Sequence, residues 1–132
     1  MNQLIIYKQD NGTVAIIHPT GELSIEEVAA KDVPAGVPYK IVNDDAVPND
    51  RTFRNALKYD LTVDMPKAQV ITKERLRQER APLLTALDVQ YQRAQEDGRD
   101  TAIIISEKQR LRDVTKLADT ATTLDELKAL SA

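Results

Sequence analysis

The stretch Thr72–Leu117, TKERLRQERAPLLTALDVQYQRAQEDGRDTAIIISEKQRLRDVTKL, decides the fold. In its first half, apolar residues recur at intervals of seven, four and seven, and at about 3.6 residues per turn they share one stripe of a helix. These residues are Leu76, Leu83, Leu87 and Ala94, widened by Leu84 and Tyr91. The second half repeats the pattern with Ile104, Leu111 and Ala118, flanked by Ile103 and Val114. The stretch therefore predicts two amphipathic helices.

A turn is predicted between these helices, at residues 96–100. Gly98 can adopt the left-handed conformation that ends a helix, and Asp100 can cap the free amides of the next one. The spacing predicts helices over about 66–97 and 101–120, with a short helix over 124–130 that begins with a capping box at Thr123. Pro82 is expected to kink or split the first helix near Arg80.

The N-terminal half has the pattern of a small β-rich domain. Strands are predicted over Gln3–Lys8, Thr13–His18 and Tyr39–Val42, and the first two are joined by a tight Asn-Gly turn that needs positive φ at both positions. Ser24 and Glu27 predict a short capped helix, Asp50 a helical turn, and Tyr59–Val63 a further short strand. The expected fold class is α+β, with a β-rich domain over 1–64 and a helical hairpin over 65–132.

Composition limits the classes of function. The chain of 132 residues has no cysteine, and it has no apolar run near the roughly 20 residues that a membrane span needs. Its N-terminus shows no secretion signal. Net charge is −3, made of −4 over residues 1–64 and +1 over 65–132, which disfavours a nucleic-acid binder. The basic clusters at 73–80 and 108–112 are interleaved with acids, as on solvated helix faces.

No catalytic, metal or cofactor site is predicted. The chain has one histidine, His18, expected at a surface or strand edge, and its adjacent acids would point apart. Phosphate-cradle, zinc-protease and serine-hydrolase motifs are absent from the sequence. We therefore expect a non-enzymatic protein without cofactors.

Charged residues on the apolar stripes predict contacts across the hairpin. Arg80 lies near the centre of the first stripe, and folding the chain about Gly98 places Asp88 about one turn from Arg112. By the same folding, Arg80 lies about one turn from Asp113. We predict the ion pairs Asp88–Arg112 and Arg80–Asp113, which would fix helix register more than add stability. The alternative is that each charge faces water or a partner.

The two segments that carry these charges resemble a known pattern. Arg80–Val89, RAPLLTALDV, followed by Glu107–Val114, EKQRLRDV, is similar to the C-terminal segments of small tailed-phage proteins of the tail assembly chaperone and tail-fibre assembly type. The matching positions are Arg80, Leu83, Leu84, Asp88, Gln109, Leu111, Arg112 and Asp113. Residues 16–19, 31–39 and 48–56 also resemble the openings of short phage tail-region proteins.

The resemblance implies protein binding in a phage tail. The partners it implies are tail, baseplate or fibre proteins. A second copy of the chain is an alternative partner, and the lack of a long apolar run predicts no membrane contact. The chain would then be in the virion tail, or in the host cytoplasm during assembly. The predicted interaction and structural residues are Arg80, Leu83, Leu84, Leu87, Asp88, Ile104, Leu111, Arg112 and Asp113. The alternative is a small regulatory or host-directed binder that contacts nucleic acid through its basic helix faces.

Overall fold

The computed structural model describes residues 2–132 and has an α+β fold, as the sequence predicts. The chain forms two compact units, Met1–Asp64 and Met65–Ala132. The elements are β1 (Gln3–Lys8), β2 (Val14–Ile17), α1 (Ile25–Asp32), β3 (Tyr39–Asn43), α2 (Met65–Glu96), α3 (Ala102–Asp113), α4 (Lys116–Thr120) and α5 (Leu124–Ala129), with short 3₁₀ turns at Asp44–Ala46 and Arg54–Ala56. No helix among the described residues is both long and apolar enough to cross a bilayer.

The N-terminal unit is a three-stranded antiparallel sheet in the order β2-β1-β3. The central strand β1 buries Leu4, Ile5 and Ile6 in succession, so both faces of the sheet are covered. On the face of Ile5, α1 contributes the core residues Val28, Ala29 and Val33. The helix starts as predicted, with the Ser24 hydroxyl accepting a hydrogen bond from the Glu27 amide at 3.2 Å.

The turn between β1 and β2 differs from the predicted one. Gly12 alone has positive φ, at 85°, and the Gln9 amide donates to the Thr13 carbonyl at 2.8 Å. The connection is therefore a three-residue loop ending in a left-handed glycine, and not a two-residue turn with two positive φ values. The Asn11 carboxamide supports it by accepting from the Thr13 amide at 3.0 Å.

The predicted strand at Tyr59–Val63 is wrong. Residues 58–62 form a turn in which the Lys58 amide donates to the Thr62 carbonyl at 2.8 Å and Leu61 has a φ of 67°. The Asp60 carboxylate accepts from the Thr62 amide at 3.0 Å and also from its hydroxyl, and these bonds lower the pKa of Asp60. Local side-chain bonding of this kind competes with strand formation. Only an isolated bridge, Leu57 to Val63, remains.

In the C-terminal unit, α3, α4 and α5 all pack along α2. Their shared core is Ala68, Thr72, Leu76, Ala94, Leu111, Val114, Ala118, Ala121 and Leu127. The connection at 97–101 is as predicted, because Gly98 has a φ of 68° and the Asp100 carboxylate accepts from the Ala102 amide at 3.0 Å. The Thr123 hydroxyl caps α5 by accepting from the Glu126 amide at 3.1 Å.

Two details of the helical unit correct the sequence prediction. The helix α2 runs unbroken through Pro82, so the predicted split is wrong. Pro82 is exposed, as is Gln78, and the Gln78 carbonyl that loses its amide partner can be hydrated instead. The second predicted helix, by contrast, is interrupted, because α3 ends at Asp113 and α4 begins at Lys116.

Candidate functional site

The side chain of Arg80, on α2, reaches the C-terminal end of α3. Its Nη1 donates to the carbonyl of Arg112 at 2.9 Å and to that of Leu111 at 3.4 Å. These carbonyls belong to the last turn of α3, where intrahelical partners are lost. A cation at a helix C-terminus is also favoured by the helix dipole. Arg80 therefore ties the two helices together through backbone groups.

The predicted ion pair between Arg80 and Asp113 is not formed. The Asp113 carboxylate instead accepts from Gln109 and pairs with Lys116, each at 3.0 Å, and these two partners lower the pKa of Asp113. Residues three and four apart on a helix lie on the same side, so Gln109 and Lys116 are both within reach of the Asp113 carboxylate. Arg80 instead donates to the carbonyls of Leu111 and Arg112, which the break after Asp113 leaves without an intrahelical partner.

The other predicted pair, Asp88–Arg112, is also wrong. Asp88 does bridge the hairpin, but its carboxylate pairs with the ammonium of Lys108 at 2.6 Å. The same ammonium lies 5.2 Å from the centre of the Tyr91 ring, within cation–π range. Lys108 is one helical turn before Arg112, so Asp88 lies about one turn from Arg112, as the folding about Gly98 predicts, and the predicted partner is what is wrong.

The basic clusters are largely paired with acids. Lys73 pairs with Asp119 across the helices, and other basic residues pair within their own helix or across the hairpin. The bridged pairs in the two clusters are Lys73–Asp119, Arg75–Glu79, Arg77–Glu74, Lys108–Asp88 and Arg110–Glu107. This pairing leaves little free positive charge on either helix face.

The apolar stripes are buried unevenly. Leu111 is fully buried, while Leu84, Leu87 and Ile104 are half-buried and Leu83 is 43% exposed. Burial is concentrated in the half of α2 nearest residue 65, where α4 and α5 also pack. The half of the hairpin nearest Gly98 has two helices only, and its stripe is only partly covered.

A groove follows from this partial coverage. It runs between α2 and α3 near the Gly98 connection, and we call it the tip groove; its lining is Leu87, Gln90, Ala102, Ile103, Ile104, Ser106 and Glu107. Ile103 is the most exposed large apolar side chain of the described residues, at 84%. Of the predicted site residues, Leu87 and Ile104 line the groove. Ile103 is not among the predicted interaction residues, although three consecutive isoleucines cannot all face one neighbouring helix.

A second cleft lies in the N-terminal unit and is more polar. Its lining is Leu4, Ile16, His18, Asp44, Asp45, Val47, Pro48, Asn49, Arg51 and Arg54. His18 is exposed at its border, and burial together with the nearby charge of Arg51 lowers the pKa of Arg54. Within residues 2–132, no group of three or more histidine, cysteine or acidic side chains is placed to hold a metal ion.

The tip groove is the candidate functional site, because it combines exposed isoleucine side chains with a polar border. No family model, curated protein or solved structure matches the chain.

Proposed function

We propose that this chain is a non-enzymatic protein that binds tail, baseplate or tail-fibre proteins of a tailed bacteriophage. It would act as an assembly factor in the host cytoplasm or as a retained component of the virion tail. The tip groove is the observation that supports protein binding. The assignment to a phage tail rests on the sequence resemblance of Arg80–Val89 and Glu107–Val114.

The exposed apolar side chains around the tip groove favour burial against a partner. Of the apolar side chains that line it, Ile103 is 84% exposed, and Leu87 and Ile104 are half-buried. Fully burying one such side chain contributes about 1.5–3 kcal/mol. A groove between two helices fits an amphipathic helix, whose apolar residues are spaced to lie along it. We assign that occupant to a helical segment of a tail protein.

The paired charges support a protein partner over a nucleic acid. Phosphate binding needs free lysine and arginine side chains, and the pairs on α2 and α3 engage most of them. Arg80 is also engaged, by the α3 carbonyls. Arg93 on α2 and Arg112 on α3 are exposed exceptions, and two separate cations give only a weak phosphate site.

Co-purification tests the proposal. The full chain, tagged, is coexpressed with each tail, baseplate and fibre protein encoded in the same phage genome, and stable pairs are purified. In a pair that forms, Ile103→Glu should weaken binding at least about tenfold, since about 1.4 kcal/mol corresponds to tenfold in affinity. The matched control is Leu117→Glu on α4, which is 51% exposed and lies outside the groove.

Two results would count against the proposal. If Ile103→Glu and Leu117→Glu bind the partner equally well, the tip groove is not the binding surface. If the gene lies in a genome without tail genes, the phage assignment fails while protein binding can still be measured. Mass spectrometry of purified virions then separates the two roles, because a retained component is found in mature particles and an assembly factor is not.

A further inference from the structure

The two edge strands of the sheet in the N-terminal unit, β2 and β3, differ in whether their outward backbone groups are hydrogen-bonded. At the β2 edge, Arg54 Nη2 donates to the outward carbonyl of Val14 at 2.6 Å, and Pro19 follows the strand. A side chain bonded to an edge carbonyl prevents another strand from pairing there. The β3 edge has no such cover among the described residues.

The register shows which groups of β3 are free. The Asp44 amide donates to the Asn2 carbonyl at 2.9 Å, and bonded pairs alternate along an antiparallel ladder, so Lys40 and Val42 are the residues bonded to β1. The amides and carbonyls of Tyr39, Ile41 and Asn43 therefore point away from β1. Within residues 2–132 the groups of Tyr39 and Ile41 have no hydrogen bond, and the Asn43 carbonyl only faces the Ala46 amide at the start of the 3₁₀ turn.

The side chains along this edge are also exposed. Tyr39 and Ile41 are 43% and 37% exposed, on the face of the sheet that α1 covers at β1. An uncovered edge strand with apolar side chains is a template for another strand. Because β-sheet edges pair readily with identical edges, a second copy of the chain can supply that strand.

We infer that β3 pairs with β3 of a second copy, antiparallel about a two-fold axis, to form one continuous six-stranded sheet. The charges select the register. A two-fold axis at Lys40 would place Lys40 of one copy opposite Lys40 of the other, which is a repulsive pair. An axis at Ile41 would place Lys40 opposite Val42, which has no charge. An axis at Val42 places Lys40 opposite Asp44 of the second copy, and symmetry repeats this pair. The outward groups of Ile41 then bond to those of Asn43.

Both charged partners are available for this pairing. Lys40 Nζ lies 4.1 Å from the centre of the Tyr59 ring and 3.5 Å from the Tyr59 carbonyl, and an ammonium group has three donors. Asp44 is in no ion pair within the described part of the chain. The intramolecular contacts hold Lys40 on the same face of the sheet as Asp44.

Sedimentation equilibrium of the full chain tests the inference, with each variant checked for folding by circular dichroism. The chain should dimerise, and Ile41→Pro should raise the dimer Kd at least tenfold. Proline removes the Ile41 amide, which points away from β1, and it leaves the hydrogen bonds between β3 and β1 in place. The matched control is Ile16→Pro, which removes an outward amide at the β2 edge and should leave the Kd within about threefold.

Charge exchange provides a test that does not depend on proline. Lys40→Glu and Asp44→Lys should each raise the Kd about tenfold, and the double variant should restore it to within about threefold. Ile103→Glu should dimerise normally, which separates this inference from the proposed function. A chain that stays monomeric up to about 1 mM, or a double variant no tighter than the single ones, would overturn the inference.

Discussion

Replacing Arg80 tests how the long hairpin is held together. Arg80→Met keeps most of the apolar stem and removes the two hydrogen bonds to the α3 carbonyls of Leu111 and Arg112. A hydrogen bond to a charged group contributes about 1.5–3 kcal/mol, and a cation at a helix C-terminus about 0.3–1 kcal/mol. Arg80 is half-buried, and one of its bonds is long at 3.4 Å. We therefore expect a loss of about 1–2 kcal/mol in the free energy of unfolding.

The measurement is urea unfolding of the full chain followed by far-UV circular dichroism, with hydrogen exchange to assign the loss to residues 102–120. The control is Arg77→Met, because Arg77 is exposed and its pair with Glu74 at 3.5 Å should contribute less than about 0.5 kcal/mol. A double-mutant cycle between Arg80 and Asp113 should give a coupling near zero. Equal losses for Arg80→Met and Arg77→Met would show that the bonds from Arg80 to the α3 carbonyls do not hold α3 to α2.

Three further changes test the same unit. Leu76→Ala should cost about 2–5 kcal/mol in urea unfolding because Leu76 is fully buried, whereas Leu83→Ala should cost less than about 1 kcal/mol; similar losses would contradict the packing. Gly98→Ala should lower stability by about 1 kcal/mol through its positive φ alone, since the added Cβ meets no atom within 4 Å, and Gly98→Asn should cost less. Hydrogen bonds from Arg75 and the Ala132 amide lower the pKa of Glu79, so their stabilisation is present above the ordinary glutamate pKa and is lost as pH falls through the lowered value. Glu79→Gln should therefore reduce the acid-dependent fall in thermal stability, and an unchanged pH profile would contradict this assignment.

Local sequence signals predicted the elements whose causes are local. The hydroxyls of Ser24 and Thr123 cap α1 and α5, and Gly98 takes its left-handed conformation, because each depends on residues within a few positions. The strand predicted at Tyr59–Val63 is wrong for a reason that is also local. Its alternation suggests a strand, but the Asp60 carboxylate bonds to the Thr62 amide and favours a turn.

The contacts across the hairpin could not be read from periodicity. Periodicity shows which side of a helix is apolar, but the break after Asp113 frees the carbonyls that Arg80 binds, and no sequence pattern marked that break. The tip groove was not predicted, because periodicity does not show which part of an apolar stripe stays exposed. Ile103 is exposed since α4 and α5 pack only along the other half of α2.

Hydrogen exchange of the chain, with and without its purified tail partner, tests the proposal that the tip groove binds a protein. Protection on binding should appear over residues 83–90 and 102–107, and Ile103→Glu should abolish it. Protection confined to the N-terminal unit, or its persistence in Ile103→Glu, would contradict the claim.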